Sequence, residues 1–403
     1  MFELREYQSK AAAQGVEVLK KHKILILNFE VRTGKTHIAL EIGAYYKNVL
    51  FVTKKKAISS IEADYIAAGH NFNITVINYE SLHKVQGVFD LVIADESHGL
   101  GAFPKPSKRA KDLKRFVWSD LILMTGTLTP ESNAQIFHQL WVSRYSPYKN
   151  HKNFYSWHRL FGTPKLKHLG HREVQDYSEV DYNRIAPAFR PLTLTYTQAE
   201  AGFTSSITEH VLHVKMKQST YDLADRLKKN LIIEGKANVI LADTAVKLMQ
   251  KLHQIYSGTV KFESGESMIL DYSKALYVEE YFKGKKLAIF YKFKEELNAL
   301  KEVLNITDSI EEFNTTDKHI ALQFIAGREG INLSAADVIV AYNIDFSAVT
   351  YFQFRDRMTT IKRAENHVYW IFSTGGIESK IYKSVQNKKT FTSQSFKKYI
   401  PNV

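Results

Sequence analysis

Short apolar runs recur along the first half of the chain: Ile24–Leu27, Val49–Val52, Ile74–Ile77, Leu91–Ala94 and Leu121–Met124. Strands of a parallel sheet read this way when both faces are buried, because neither face then needs polar positions. The segments between the runs are long enough for the crossover helices that parallel pairing requires. This pattern stops near residue 140. Residues 144–190 mix aromatic, histidine and basic residues, and Pro147, Pro164, Pro187 and Pro191 interrupt any long helix. The polar stretch Thr195–Thr208 reads as a linker or loop. Helical spacing returns at 218–232 and 243–256, where Val246, Met249, Leu252 and Ile255 keep a three-residue interval. A second strand set follows at Leu287–Tyr291, Ile320–Ile325, Val338–Tyr342 and Val368–Phe372. The pattern predicts an α/β protein with a first lobe over 1–143, an irregular basic and aromatic insertion and linker over 144–207, and a second lobe over 208–403.

Composition narrows the function classes. The 403 residues allow two or three domains of ordinary size. With no cysteine, a disulfide scaffold, a cysteine-ligated metal site and a cysteine nucleophile are all excluded. The N-terminus MFELREYQSK has no apolar signal core, and no run approaches the ~18 apolar residues of a membrane span. A soluble, cytoplasmic chain with no membrane partner is expected. The net charge of +13 is concentrated: residues 101–172 hold 13 Lys or Arg against 3 Asp or Glu. Charge placed so unevenly suits a track for a polyanion better than general solvation. The segment after Ser379 adds six lysines and no acid.

Two patterns carry chemistry. Ile24 to Thr36 reads strand, loop, then Gly34-Lys35-Thr36 opening a helix. A phosphate-binding loop works this way, with backbone N–H groups and the helix N-terminus around phosphate oxygens. Lys35 would reach the β/γ-phosphates, and the Thr36 hydroxyl would ligate Mg²⁺. The full pattern has glycine five residues before Gly34, where this chain has Phe29. Leu91-Val-Ile-Ala-Asp-Glu-Ser-His98 is a buried strand ending in two acids, at the end where α/β sheets bind ligands. Asp95 would hold Mg²⁺ and Glu96 would orient or deprotonate the attacking water. His98 is positioned to couple this site to the next segment.

Together these segments resemble the superfamily 2 helicases and translocases, in their Swi/Snf-like branch. Leu4-Arg-Glu-Tyr-Gln8 is similar to the N-terminal glutamine motif, Glu30–Thr36 to motif I, Val49–Lys56 to motif Ia and Asn78–Leu82 to the Tyr-Glu segment. Asp95–His98 resembles motif II and Thr125-Gly-Thr127 motif III. In the second half Thr208–Tyr221 resembles the entry to the second lobe, Lys286–Tyr291 motif IV, Gly327–Asp337 motif V, Gln353–Arg357 motif VI, and Gly376–Glu378 with Lys380-Ile381 the closing segment. Chance matches do not preserve order along a chain, and these do.

The resemblance implies two RecA-like lobes and an ATP hydrolase. It implies that Gln8 reads the adenine, and that Arg32, Thr33, Gly34, Lys35, Thr36, Gly330 and Gln353 contact ATP. Motif VI in the family carries two arginines, and Thr360 stands at the second. Arg357 is therefore the first choice for the arginine at the γ-phosphate, with Arg355 and Arg363 as substitutes. In the family's mechanism ATP lies between the lobes, and their closure moves the motor along a strand. The track is expected to be DNA, double-stranded or branched, held by backbone contacts from Lys54, Lys105, Lys108, Arg109, Thr125, Lys292 and Arg328. The chain is expected to act as a monomer, with ATP and Mg²⁺, translocating on, unwinding or remodelling DNA. An RNA-dependent helicase, a nucleic-acid-binding scaffold with weak ATPase activity and a small-molecule kinase are the alternatives.

Overall fold

A computed structural model describes residues 4–30, 33–116, 118–169, 172–202, 206–235, 238–324, 333, 335–355, 365–387 and 396. The chain divides into two compact units, Met1–Phe203 and Thr204–Val403.

The first unit runs α1 (Glu6–His22), β1 (Ile24–Phe29), α2 (Lys35–Gly43), β2 (Asn48–Thr53), α3 (Ile58–Ala67), β3 (Asn73–Asn78) and β4 (Leu91–Ala94). It continues with α4 (Lys108–Leu113), β5 (Asp120–Thr125), α5 (Ile136–Trp141), α6 (Phe154–Phe161), the hairpin β6–β7 (Lys165–Leu169, Arg172–Asp176), α7 (Tyr182–Phe189) and β8 (Thr193–Tyr196). Its six-stranded sheet has the order β3-β2-β4-β5-β1-β8, with every pair parallel. All five predicted strands are present, each within two residues of its expected ends. Their unbroken hydrophobicity follows from two cores. Ile24 and Ile26 of β1 and Val92 and Ala94 of β4 enter one, with α4 to α7. Leu25, Leu27 and Phe29, with Leu91 and Ile93, enter the other against α1 and α2. The period of two thus divides each run between the faces.

The middle of the chain differs from expectation. Residues 144–202 are no separate insertion but complete the first unit. Tyr148, Phe154 and Trp157 are buried in its core, and β8 adds a parallel strand beside β1, Ile26 opposite Thr193. The aromatic residues of this segment were legible as aromatic; that they serve mainly as core is a matter of tertiary packing.

The second unit opens on β9 (Ser206–Val214) and α8 (Gln218–Asn230), then the hairpin β10–β11 (Ile232–Glu234, Val239–Leu241) and α9 (Ala245–Tyr256). The hairpin β12–β13 (Thr259–Lys261, Ser267–Ile269), α10 (Ser273–Tyr281), β14 (Leu287–Tyr291), α11 (Lys294–Val303) and β15 (Ile306–Thr307) follow. It ends with α12 (Ile310–Thr315), β16 (His319–Gln323), β17 (Val338–Ala341), α13 (Ala348–Arg355), β18 (Glu365–Ser373) and α14 (Glu378–Gln386). The sheet order is β15-β16-β14-β17-β18-β9, again all parallel. The two expected RecA-like α/β lobes are therefore present. Among the described residues no helix is long and apolar enough to cross a membrane.

Beneath this second sheet lies a fully buried ion pair, Lys274 to Glu378 at 3.0 Å. Lys274 also donates to the Tyr342 carbonyl, and Glu378 accepts from the Ser373 amide and hydroxyl. Such a pair holds only because its remaining valences are filled. Gly376 is required beside it, since a β-carbon there would meet Glu378 Oε2 at 2.0 Å. The closing segment Gly376–Glu378 thus has a packing role in this lobe.

Candidate active site

Parallel pairing brings the carboxyl ends of β1, β2, β4 and β5 to one edge of the first sheet, with β5 lying between β1 and β4. Lys35 and Thr36 begin α2 directly beyond β1, and Asp95 and Glu96 follow β4. Phe29 stays a strand residue: its ring is buried and stacks on Tyr196, 5.5 Å between centroids, which stacks in turn on Tyr7 at 4.7 Å. The position where a phosphate-binding loop has glycine is here part of the core.

The loop is held closed by its own groups. Lys35 Nζ donates to the Phe29 carbonyl at 2.8 Å and the Glu30 carbonyl at 3.0 Å. Thr33 is buried, and its hydroxyl donates to the Glu30 carbonyl. Gly34 has φ +78°, and a β-carbon there would strike the Gln8 amide at 2.0 Å, so only glycine fits. Gln8 accepts from the Arg5 amide at 2.9 Å and donates to the Thr33 carbonyl at 3.4 Å, tying α1 to the loop. Tyr7 donates to the same carbonyl at 2.8 Å. Thr36 is half-buried in the first turn of α2. Arg32 lies outside the described residues.

Across β5, Asp95 Oδ2 accepts from the Thr53 hydroxyl at 2.8 Å and Oδ1 from the Glu96 amide at 2.9 Å. The Tyr79 hydroxyl donates to the Asp95 carbonyl at 2.6 Å. Burial first, and the neighbouring Glu96 charge second, push the Asp95 carboxyl up to about 6, against the pull of Thr53, Lys35 and Lys54. A carboxylate held in that state is one a cation relieves. The donor chemistry at this edge, carboxylate and hydroxyl oxygens, fits Mg²⁺. Among the described residues no group of three His, Asp or Glu is placed to hold a metal ion, so Thr36 and Asp95 would hold the ion together with phosphate oxygens, as Mg²⁺ commonly prefers.

Glu96 adopts a left-handed backbone, φ 49° and ψ 46°. Such conformations are costly for long side chains and concentrate where function fixes geometry. His98 Nδ1 lies 3.3 Å from Glu96 Oε2 and 3.2 Å from Thr125 Oγ1. Lys54 Nζ is 4.0 Å from Glu96 Oε1. The Asp95–His98 and Thr125–Thr127 segments are therefore in direct contact through His98. Thr53, Tyr7 and Tyr196 escaped the sequence reading. Thr53 has a signal, a polar residue at the carboxyl end of a strand neighbouring β4; Tyr196 has none, because β8 is short, polar and only partly buried.

The remaining expected site residues fall into three groups. Lys105 and Lys108 are exposed on and before α4. Arg109 pairs with Glu80 at 2.5 Å on the surface and lies over the Tyr79 ring; an exposed pair of this kind contributes about 0–1 kcal/mol, which a phosphate readily displaces. Lys292 pairs with Asp345 at 2.7 Å and lies over Phe346. Arg328, Gly330, Arg357 and Arg363, and the side chain of Gln353, lie outside the described residues. Arg355 is engaged by Glu209, 3.0 Å away, a carboxylate that also accepts from Tyr351, Tyr382 and Trp370.

A pH test follows from Asp95. Its folded value is raised, so the folded state holds the proton that the unfolded chain releases near pH 4. Stability contributed by the neutral carboxyl is present at low pH and is lost as pH rises from about 4 to about 6. In unfolding titrations without nucleotide or metal, Asp95→Asn should remove this loss and gain about 1–3 kcal/mol at neutral pH. A variant that tracks the parent protein at every pH would count against an ionised, strained Asp95.

No family model matches the chain, and no curated protein matches it. Among solved structures it is similar to the Sulfolobus solfataricus SWI2/SNF2 ATPase core in complex with dsDNA, at 14% identity and a TM-score of 0.45, over 100% of this chain and 95% of that one. It is likewise similar to the SWI2/SNF2 ATPase core domain of the same organism, at 16% identity and a TM-score of 0.44, over 96% of this chain and 89% of that one.

Proposed function

We propose that the chain is an ATP hydrolase that works as a motor on nucleic acid. The observation that carries the reading is the edge of the first sheet. There a lysine at the start of a helix, a carboxylate raised by burial and a second carboxylate in a strained backbone stand together at the carboxyl ends of neighbouring strands. Lys35 would leave the Phe29 and Glu30 carbonyls for the β/γ-phosphate oxygens, and the amides of the first turn of α2 would bind the same phosphates. Mg²⁺, when bound, would neutralise charge on the transferring phosphoryl group. Glu96 would orient a water and take its proton as the phosphorus–oxygen bond to ADP breaks. His98 would report that change to Thr125. Arg357 remains our choice for the arginine at the γ-phosphate; the Glu209 tether makes Arg355 the weaker substitute.

DNA is proposed as the track because of the uneven charge and the ordered motif resemblance. Contacts to phosphates rather than bases are expected from lysine and arginine on and around α4. ATP turnover should rise severalfold with duplex DNA, and binding should weaken steeply with salt, each neutralised phosphate adding about 0.9 to the logarithmic slope. A panel of duplex, branched, single-stranded DNA and RNA tests this reading. Strongest stimulation by RNA would move the assignment to the RNA-dependent alternative, and affinity that ignores salt would remove the electrostatic track.

A further inference from the structure

The sequence suits one track over the basic stretch 101–172, but the fold places part of that stretch elsewhere. Arg109 stands at the carboxyl edge of the sheet, over the ring of Tyr79, whose hydroxyl bonds the Asp95 carbonyl. Residues 114–120 return to the opposite edge: Ser119 donates to the Phe89 carbonyl at 2.6 Å, and the Asp120 amide bonds the Asp90 carbonyl. Even the four residues of β4 separate the two edges by about 13 Å.

At this far edge lies a pocket of about 450 Å³ whose walls include Lys114, Trp141, Arg144, Lys149, His151 and Lys152, with no acidic residue among its lining. Lys114 Nζ sits 3.3 Å over the Trp141 ring, and the Arg144 guanidinium 3.3 Å over the Trp118 ring. These stacks fix the cations in place without neutralising them. Among the described residues no salt bridge engages Lys114, Arg144, Lys149 or Lys152. Burial lowers the Lys114 ammonium, with no acid to offset it, a cost that an anion in the pocket would relieve. The buried Ser143 and Ser146 hydroxyls each accept one backbone amide, from Tyr145 and Tyr148, which leaves their protons to donate.

We propose that this pocket is a second nucleotide-binding site, remote from the ATP crevice, with the phosphate on Arg144, Lys149 and Lys152 and the base against Trp141. A bare phosphate would occupy only a fraction of the space and leave the aromatic wall empty; a nucleotide uses both. The nucleotide has two sources, a unit of a nucleic-acid strand or a free mononucleotide, and only the first rests on the motor reading.

Tryptophan fluorescence gives a local probe. Of the four tryptophans, Trp157 and Trp370 are fully buried, while Trp141 lines the pocket and Trp118 is 66% exposed beside it. In a Lys35→Ala background, which silences the ATP crevice, the protein is titrated with a short oligodeoxythymidine and separately with thymidine monophosphate. Quenching is expected, lost in Trp141→Phe and shifted about tenfold or more to weaker binding in Lys149→Glu/Lys152→Glu, with the salt slope smaller by about 2. Quenching by the oligonucleotide alone assigns the pocket to a strand; equal quenching by the mononucleotide assigns it to free nucleotides. Quenching by neither ligand, or quenching unchanged in the double variant, overturns the proposal. Failure of the motor reading is separate: it would show as ATP turnover indifferent to nucleic acid in the chain with Lys35 intact.

Discussion

Replacing Lys35 with alanine should lower ATP turnover by about a hundredfold or more, the scale on which removing a single preorganised charge donor acts in a transition state. Lys35 is held ready rather than free. Its ammonium bonds two carbonyls of its own loop, Phe29 and Glu30, and exchanging neutral carbonyl partners for phosphate oxygens gains charge-assisted hydrogen bonds. The same ammonium lowers the Asp95 carboxyl, so its loss also leaves that group harder to ionise for Mg²⁺. Arginine should not rescue it: a planar fork does not replace a compact ammonium at the start of α2. The check is phosphate release by the purified variant beside the parent protein, with thermal unfolding to show that the first lobe still folds. A turnover rate unchanged in Lys35→Ala would remove the phosphate-binding role.

Glu96→Gln should separate binding from chemistry. Hydrolysis should fall by about 10²–10⁴-fold, the usual contribution of a positioned general base. Nucleotide affinity should be retained within a few-fold, for a reason visible at Asp95. The Glu96 charge raises the Asp95 carboxyl, so glutamine relieves that repulsion and leaves Asp95 the better cation ligand. Glutamine also matches glutamate in length, so the left-handed backbone at this position meets no larger side chain than before. Equilibrium binding of a fluorescent ATP analogue and single-turnover hydrolysis together read the two effects. Lost binding with proportionate loss of hydrolysis would make Glu96 a structural or nucleotide-holding residue.

The strands that position this site were legible because burial on both faces leaves nothing but apolar residues in Ile24–Leu27 or Leu91–Ala94. Of the edge strands, β3 was legible, but β8 and β9 were not. β9 carries Glu209, His210 and His213 among its apolar residues and, among the described residues, pairs with β18 alone, so its sequence resembles a polar linker. β8 is short and only partly buried, and nothing in Thr193–Tyr196 announces that Tyr196 will stack on Phe29. Among site residues, the positions defined by motif chemistry, Lys35, Asp95 and Glu96, come to one sheet edge as spacing implied. Cation identity was less informative than cation surroundings. Arg115, counted as part of a binding track, donates instead to the carbonyls of Leu82, His83 and Val85, and Lys292 is matched by Asp345. Charge is visible in a sequence, but the acid or carbonyl that occupies it is contributed from tens of residues away.

Release of phosphate from ATP by the unaltered protein with Mg²⁺, measured with and without duplex DNA, tests the proposed hydrolytic role of this sheet edge most directly. Steady turnover that rises severalfold with nucleic acid and vanishes in Lys35→Ala is the expected result. No phosphate release under any of these conditions would contradict it.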